Sequence, residues 1–472
     1  MANVNLTIDG KAITVPAGTT ILAAAKANDI YIPTLCFLEK LEPRASCRMC
    51  VVEVEGARTF QHACAAKVRE GMVVHTNTEA VRASRKLTLQ LLLSDHSVDC
   101  HHCLRIGSTR CADLDPKFCE WCFFCDCERD GFCDLQSLAR EYEVDVLPFE
   151  QKHNQYPVDD SSVIVRNPNK CIKCKRCVDV CATVQTVHNL AASGRGVEVK
   201  IGPAFEKPMA DSRCIGCARC VEVCPTGAIF VKERKDEMLD VTHTYGLKSV
   251  AMADAALIPE LERIWPRQTA PVTLEQIVGA LRKLGFKSVL NADDMRALAV
   301  AETEKRLDAR LKKGPAIVAD SLAAKKLLER DYKDYADRFV FMPSSAAVFG
   351  IFAKDALGAD KTAVFGPIGP EASEVYETGC ADFAMNAREL YRTMVRTGAE
   401  PNPQRVSAPE AVEYDAPSGK YGKVLERVEW NRDQEPERFE IKVGRKTYQC
   451  AVCHNPAQLK AALDADIVRV IA

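Results

Sequence analysis

The chain has 472 residues, 47% hydrophobic and 27% charged, ordinary proportions for a globular protein of three or four domains. Its formal net charge of -2 gives no reason to expect a nucleic-acid surface. The first residues lack the basic, apolar and small-residue succession of a Sec-type signal peptide, and no apolar run reaches the roughly 20 residues of a membrane helix, so a cytoplasmic location is expected. In a reducing compartment metal binding is a more natural use of cysteine than disulfides, and 20 of the 23 cysteines lie in the first 224 residues.

Residues 1–80 form the first unit. Val4-Asn5-Leu6-Thr7-Ile8 and Ala12-Ile13-Thr14-Val15 alternate around Asp9-Gly10, which predicts a two-strand hairpin, and a short helix is expected from Ile21 to Ala27. Cys36, Cys47, Cys50 and Cys64 follow. Four thiolates fit a 2Fe-2S centre, although their spacing departs from the plant-type C-x4-C-x2-C pattern. His62 reads as a surface or packed histidine, because four thiolates already complete the site. Together these features resemble the beta-grasp ferredoxin domain that opens complex I-type iron-sulfur subunits and many FeFe hydrogenases.

Residues 81–150 read as a His/Cys-rich cluster domain. Asp95-His96-Ser97-Val98-Asp99-Cys100 resembles the start of the His-x3-Cys-x2-Cys-x5-Cys motif of those same families, and Cys127-x5-Cys133-Asp134-Leu135-Gln136 resembles its end. The resemblance implies a 4Fe-4S cluster on His96, Cys100, Cys127 and Cys133. Between the halves lie 26 residues where the families have two, carrying Cys103, Cys111, Cys119, Cys122 and Cys125. Cys119-x2-Cys122-x2-Cys125 has ferredoxin spacing, so a further 4Fe-4S centre is expected on these three with Cys103 or Cys111. A structural zinc competes, since His101 and His102 are nearby. A second partition puts His96, Cys100, Cys103 and Cys111 on one centre and the later cysteines on the other.

Residues 151–236 contain Cys171-x2-Cys174-x2-Cys177-x3-Cys181 and Cys214-x2-Cys217-x2-Cys220-x3-Cys224-Pro225. In the bacterial two-cluster pattern the first three thiolates of each run hold one cubane and the fourth crosses to the other. One 4Fe-4S cluster is therefore expected on Cys171, Cys174, Cys177 and Cys224, and a second on Cys214, Cys217, Cys220 and Cys181. With the His-ligated centre this makes three 4Fe-4S clusters. Zinc and disulfide readings are disfavoured by so specific a spacing.

Residues 233–240 are charged and read as a linker, and residues 241–472 alternate helical and strand patterns as an α/β domain does. Thr273-Leu274-Glu275-Gln276 is a capping box opening a helix through Leu284 that Gly285 ends. Strands are expected at Ser288-Val289-Leu290 and Ala316–Ala319, with a helix from Glu302 to Lys313 between them. No G-x-G-x-x-G or P-loop motif is present. Leu281 to Val289, Met342-Pro343-Ser344 through Gly350 to Lys354, and Ala381-Asp382-Phe383 through Leu390 resemble segments of the FeFe hydrogenase catalytic domain. That domain holds its H-cluster through four cysteines in three motifs. Here Ala319-Asp320-Ser321-Leu322-Ala323 stands for the first and Gly366-Pro367-Ile368-Gly369 for the second, while the third is expected to begin about Val470. The resemblance thus implies a degenerate hydrogenase-like domain without an H-cluster.

Cys450-Ala451-Val452-Cys453-His454 matches the c-type haem attachment pattern, but without an export signal it reads as a strand entering the helix Pro456 to Leu463. Cys380 reads as a small buried hydrophobe. The expected fold is α+β multidomain: a beta-grasp 2Fe-2S domain, a His/Cys-rich cluster domain, a 2x4Fe-4S ferredoxin domain and an α/β FeFe-hydrogenase-like domain. No constellation for acid-base or nucleophilic chemistry is evident, so no catalytic residue is assigned.

The resemblance implies an electron-transfer subunit of an NAD-linked, electron-bifurcating hydrogenase complex. Its partners would be a flavin/NAD subunit, a thioredoxin-like 2Fe-2S subunit, ferredoxin and a separate NiFe hydrogenase subunit. An NAD-linked formate dehydrogenase, a soluble NADH dehydrogenase module, or a C-terminal module acting as a docking scaffold are the alternatives.

Overall fold

The computed structural model describes residues 2–96, 133–149, 156–264, 271–399, 416–426 and 437–471 apart from 40, 145, 243, 245, 367 and 368, together with Cys127, Arg129, residues 409–410 and 412–413, and Glu435. Strands β1 (Asn3–Ile8) and β2 (Lys11–Pro16) form the expected hairpin, turning at Asp9 and Gly10 with φ of 47° and 82°. With β3 (Val51–Val54), β4 (Gln61–His62) and β5 (Met72–His75) they make a mixed sheet in the order β2-β1-β5-β3-β4. Leu6, Ile8, Ile13 and Val15 point inward at period two and pack against the helix Ile21–Lys26, which Thr20 caps. The helix Glu79–Ser94 then crosses to the helix Asp134–Glu141.

The next unit is small. Strands β6 (Ile164–Arg166) and β9 (Ile229–Val231) pair antiparallel, as do β7 (Ala191–Ser193) and β8 (Lys200–Gly202). The cysteine runs lie between β6 and β9, and each ends in a short helix: Arg176–Asp179, continued by a wider turn over Val180–Val184, and Arg219–Val223.

The C-terminal half is α/β, built on two sheets. Strands β10 (Ser249–Ala253), β11 (Ser288–Asn291), β14 (Lys361–Phe365) and β15 (Phe383–Met385) form a parallel sheet in the order β11-β10-β14-β15. Strands β12 (Ala316–Ala319), β13 (Phe339–Phe341), β16 (Glu437–Val443), β17 (Lys446–Cys453) and β18 (Ile467–Val470) form the other, ordered β13-β12-β18-β17-β16, with only the β16-β17 hairpin antiparallel. The chain visits the sheets alternately. The capping box at Thr273 and Gln276 forms as expected, and the helix Leu274–Lys283 ends before Gly285, whose φ is 104°.

Three local expectations need correction. The helix expected from Glu302 begins ten residues earlier and spans Ala292–Leu311, because Asn291 leaves β11 directly into an N-cap and Asp293 and Asp294 occupy the first turn. The expected linker at 233–240 is mostly taken up by the helix Lys235–Thr242, anchored by the fully buried Met238 with Leu239 and Val241 packed beside it. Charge on one face concealed an apolar stripe on the other. Cys380 is only partly buried, and its carbonyl lies where a Cβ on Gly350 would sit, at 1.8 Å. Gly350 is therefore what lets the helix Ser345–Asp355 approach that loop.

Candidate metal centres

Cys36, Cys47, Cys50 and Cys64 are between 1% and 8% exposed. Cys50 enters β3 and Cys64 leaves β4, and the bond from the Ala63 amide to the Cys50 carbonyl, 3.0 Å, closes that pair. The loop bearing Cys47 turns through left-handed backbone at Ala45 and Arg48, with φ of 50° and 56°. The thiols then associate two by two, Cys36 with Cys47 and Cys50 with Cys64. The hydrogen bond from Cys47 holds Cys36 down to about 5, and that from Cys64 lowers Cys50. Cys47 and Cys64, which donate those bonds, are pushed up. Two adjoining pairs of buried thiols fit a 2Fe-2S centre.

In the ferredoxin-like unit, one cavity is lined by Cys171, Cys174, Cys177 and Cys224, with no other cysteine on its wall. Three of these come from one run and the fourth from the other. Around the second group, Cys220 feels Cys214, Cys217 and Cys181 most strongly and Cys224 after them. Burial raises these thiols: Cys171 to about 11, Cys174 and Cys217 to about 12. As free thiols they keep their protons, so metal binding there must release protons and is favoured as pH rises. Backbone amides point at the sulfurs, from Lys173 to Cys171 and Gly216 to Cys214 at 3.4 Å, and from Asn189 to Cys181 at 3.2 Å. Left-handed backbone at Lys173, Lys175, Gly216 and Ala218 directs the loops this way. Among the described residues no three His, Cys, Asp or Glu side chains gather tightly enough for one metal ion. A cubane asks for less, because each thiolate binds its own iron atom.

Of the His/Cys-rich region, His96, Cys127 and Cys133 are described, all buried. His96 closes the helix Glu79–Ser94, and the Cys133 sulfur accepts from the Gln136 amide at the start of the next helix. Cys100, Cys103, Cys111, Cys119, Cys122 and Cys125 lie outside the described residues, as do His101 and His102.

One apolar cluster contains Cys36 and Cys47, Cys133, and Cys174, packed with Leu35, Leu89 and Leu135. Another brings Cys181 and Cys217 against Ile317, Ala323 and Leu327 of the C-terminal half. Cysteines from successive sets thus share packing from the first domain to the last. Two arginines at matching places in the runs, Cys174-Lys175-Arg176-Cys177 and Cys217-Ala218-Arg219-Cys220, reinforce these contacts. Arg176 donates to the Phe37 carbonyl and pairs with Asp134 at 3.2 Å. Arg219, 4% exposed, pairs with Glu222 and lies near Asp320. Sequence reasoning passed over both, although an arginine before the third cysteine of each run was there to be seen.

In the C-terminal half, Asp320 follows β12 and Ser321 caps the next helix through the Ala324 amide, 3.1 Å. Asp320 pairs with Arg469 at 3.0 Å, the arginine being 1% exposed. Cys380, Cys450 and Cys453 belong to three different core clusters. Cys450 and Cys453 project from opposite faces of the sheet, three residues apart on β17, so they form no common thiol site. Glu374 is 3% exposed with Oε2 unpartnered, and burial pushes it up to about 7.

That shift raises the folded-state value above the ordinary 4.5, so Glu374 costs stability progressively as pH rises from about 4.5 to about 7 and no further above it. Glu374→Gln removes the cost. Relative to the native chain it is expected to gain up to about 3 kcal/mol between pH 4.5 and pH 8. Unfolding midpoints of both chains at the two pH values check this, and a difference that does not change with pH refutes it.

The geometry defines an iron-sulfur protein whose cysteine sets run into an α/β domain. Residues 1–79 match the 2Fe-2S iron-sulfur cluster binding domain family, residues 170–228 the 4Fe-4S dicluster domain family, and residues 248–464 the iron only hydrogenase large subunit, C-terminal domain family. The chain carries these three domains in that order. It is 33% identical over 412 residues to the NADP-reducing hydrogenase subunit HndD of Solidesulfovibrio fructosivorans, covering 82% of this chain and 65% of that one. It is 32% identical over 289 residues to the mitochondrial NADH-ubiquinone oxidoreductase 78 kDa subunit of Neurospora crassa, covering 58% of this chain and 35% of that one. The chain thus spans less than two thirds of the length of these relatives. A solved NAD+-reducing [NiFe]-hydrogenase chain is 28% identical, with a TM-score of 0.41, covering 49% of this chain and 88% of that one. Among the described residues no helix is long and apolar enough to cross a membrane.

Proposed function

We propose that the chain is an electron-transfer iron-sulfur subunit of an NAD-linked hydrogenase complex of the electron-bifurcating kind. It relays electrons among a flavin/NAD subunit, ferredoxin and a separate NiFe hydrogenase subunit. The observation that supports this most is the continuous packing of cysteine sets, Cys36 and Cys47 with Cys133 and Cys174, then Cys181 and Cys217 with the C-terminal domain. Iron-sulfur clusters bound to such thiolates carry single electrons. The chain's own residues bury the thiols, aim backbone amides at them and hold successive sets in contact.

The ligand sets are Cys36, Cys47, Cys50 and Cys64 for 2Fe-2S, and the two crossed sets of the ferredoxin-like unit for 4Fe-4S. His96, Cys100, Cys127 and Cys133 take a third cubane. The C-terminal domain serves as scaffold rather than as a hydrogen-activating site, since its three cysteines lie in separate core clusters.

The HndD likeness makes hydrogenase the preferred assembly over formate dehydrogenase. Isolation of the native complex and identification of its largest subunit tests this: a NiFe large subunit supports it, a molybdopterin protein overturns it. Purified chain should carry about 14 iron atoms with zinc in the cysteine-rich insert or about 18 with a cubane there. The isolated chain should not take up hydrogen with an artificial acceptor.

A further inference from the structure

We propose that the open groove beside Cys214 is the docking surface for a small acidic electron-carrier protein. This rests on the iron-sulfur reading of Cys214 above. The groove, about 540 Å³, lies where the ferredoxin-like unit meets the C-terminal domain, with walls that include Ser161, Gly216, Lys326 and Glu377. Cys214 is partly exposed and is the one cysteine on that wall. A carrier seated here lies against a cysteine of the second cubane set.

Charge identifies the occupant. Lys232, Arg234 and Lys326 line the groove against a single carboxylate, Glu377. Lys326 is paired with Glu377, and Arg234 with Glu237 while stacked over Phe383 at 5.4 Å. Lys232 has no ion pair among the described residues. Arg213 and Arg330 stand close to Cys214 and share one carboxylate, Asp331. A chain of net charge -2 therefore collects a positive excess at a groove that reaches a candidate cluster ligand. The breadth and openness of the groove suit a protein surface better than an enclosed small molecule, which a binding pocket would cover on most sides. Docking makes and breaks no bond. One electron passes, one partner being oxidised and the other reduced.

The test uses the full reconstituted chain and, as probe, an acidic bacterial two-cluster ferredoxin, with binding measured by calorimetry at low and moderate salt. Lys232→Glu is expected to weaken binding about tenfold and to flatten its salt dependence, as for a charge that steers association. Lys232→Arg should keep native affinity, as should Lys354→Glu on the exposed side of the helix Ser345–Asp355. Unchanged affinity in Lys232→Glu overturns the proposal. So does an equal loss in the Lys354 variant, or an effect of Lys232→Glu confined to self-association of the chain. Iron content and dithionite-reduced spectra are recorded alongside: absent clusters in the native chain would sink the iron-sulfur reading itself, whereas intact clusters with unaltered binding sink only the docking surface.

Discussion

Cys224→Ser is expected to remove one cubane while sparing the other, and the one lost should belong to the run 43 positions upstream. Cys224 shares a cavity with Cys171, Cys174 and Cys177, while Cys181 is gathered with Cys214, Cys217 and Cys220. A serine hydroxyl is a poor substitute for thiolate, so about four iron atoms per chain should go. Site assignment comes from pairing the variant with Cys171→Ser and Cys214→Ser. If ligation crosses, Cys224→Ser and Cys171→Ser lose the same paramagnetic signal and Cys214→Ser loses the other. Should Cys224→Ser instead match Cys214→Ser, each run holds its own cluster and the crossed arrangement is wrong.

Asp320→Ala is expected to destabilise the C-terminal domain by about 3–5 kcal/mol, the usual result of removing one partner from a buried ion pair. Arg469 is 1% exposed and its remaining bonds go to the carbonyls of Val424 and Glu426, which cannot neutralise it. The loss falls where β12 and β18 run side by side, paired from Ala316 with Ile467 to Ala319 with Val470. Faster amide exchange in those two strands, with clusters still bound upstream, is the expected readout. Exchange unchanged there would mean that Asp320 contributes little.

What the sequence disclosed depended on distance along the chain. The hairpin at Asp9-Gly10 and the capping box at Thr273 are local, and local rules sufficed. Cys171, Cys174, Cys177 and Cys224 span some 50 residues yet line one cavity, and the rigid spacing of the two runs is what suggested that grouping. The start of the helix at Ala292 was missed although Asn291, Asp293 and Asp294 announce it, because no loop separates it from β11. Asp320 and Arg469 are 149 residues apart, and neither alone suggests the other. The groove at Cys214 combines side chains from around 161, 214, 232, 326 and 377, a set with no sequence signature at all.

The apolar cluster joining Cys36, Cys133 and Cys174 bears on how the protein matures. Because three cysteine sets share one core, ordering any one of them with metal also orders packing that the others need. On the proposed ligation, reciprocity has each metal centre raise the affinity of its neighbours' sites, without any contact between the centres themselves. Loading should therefore be cooperative, with partly filled chains scarce compared with empty and full ones.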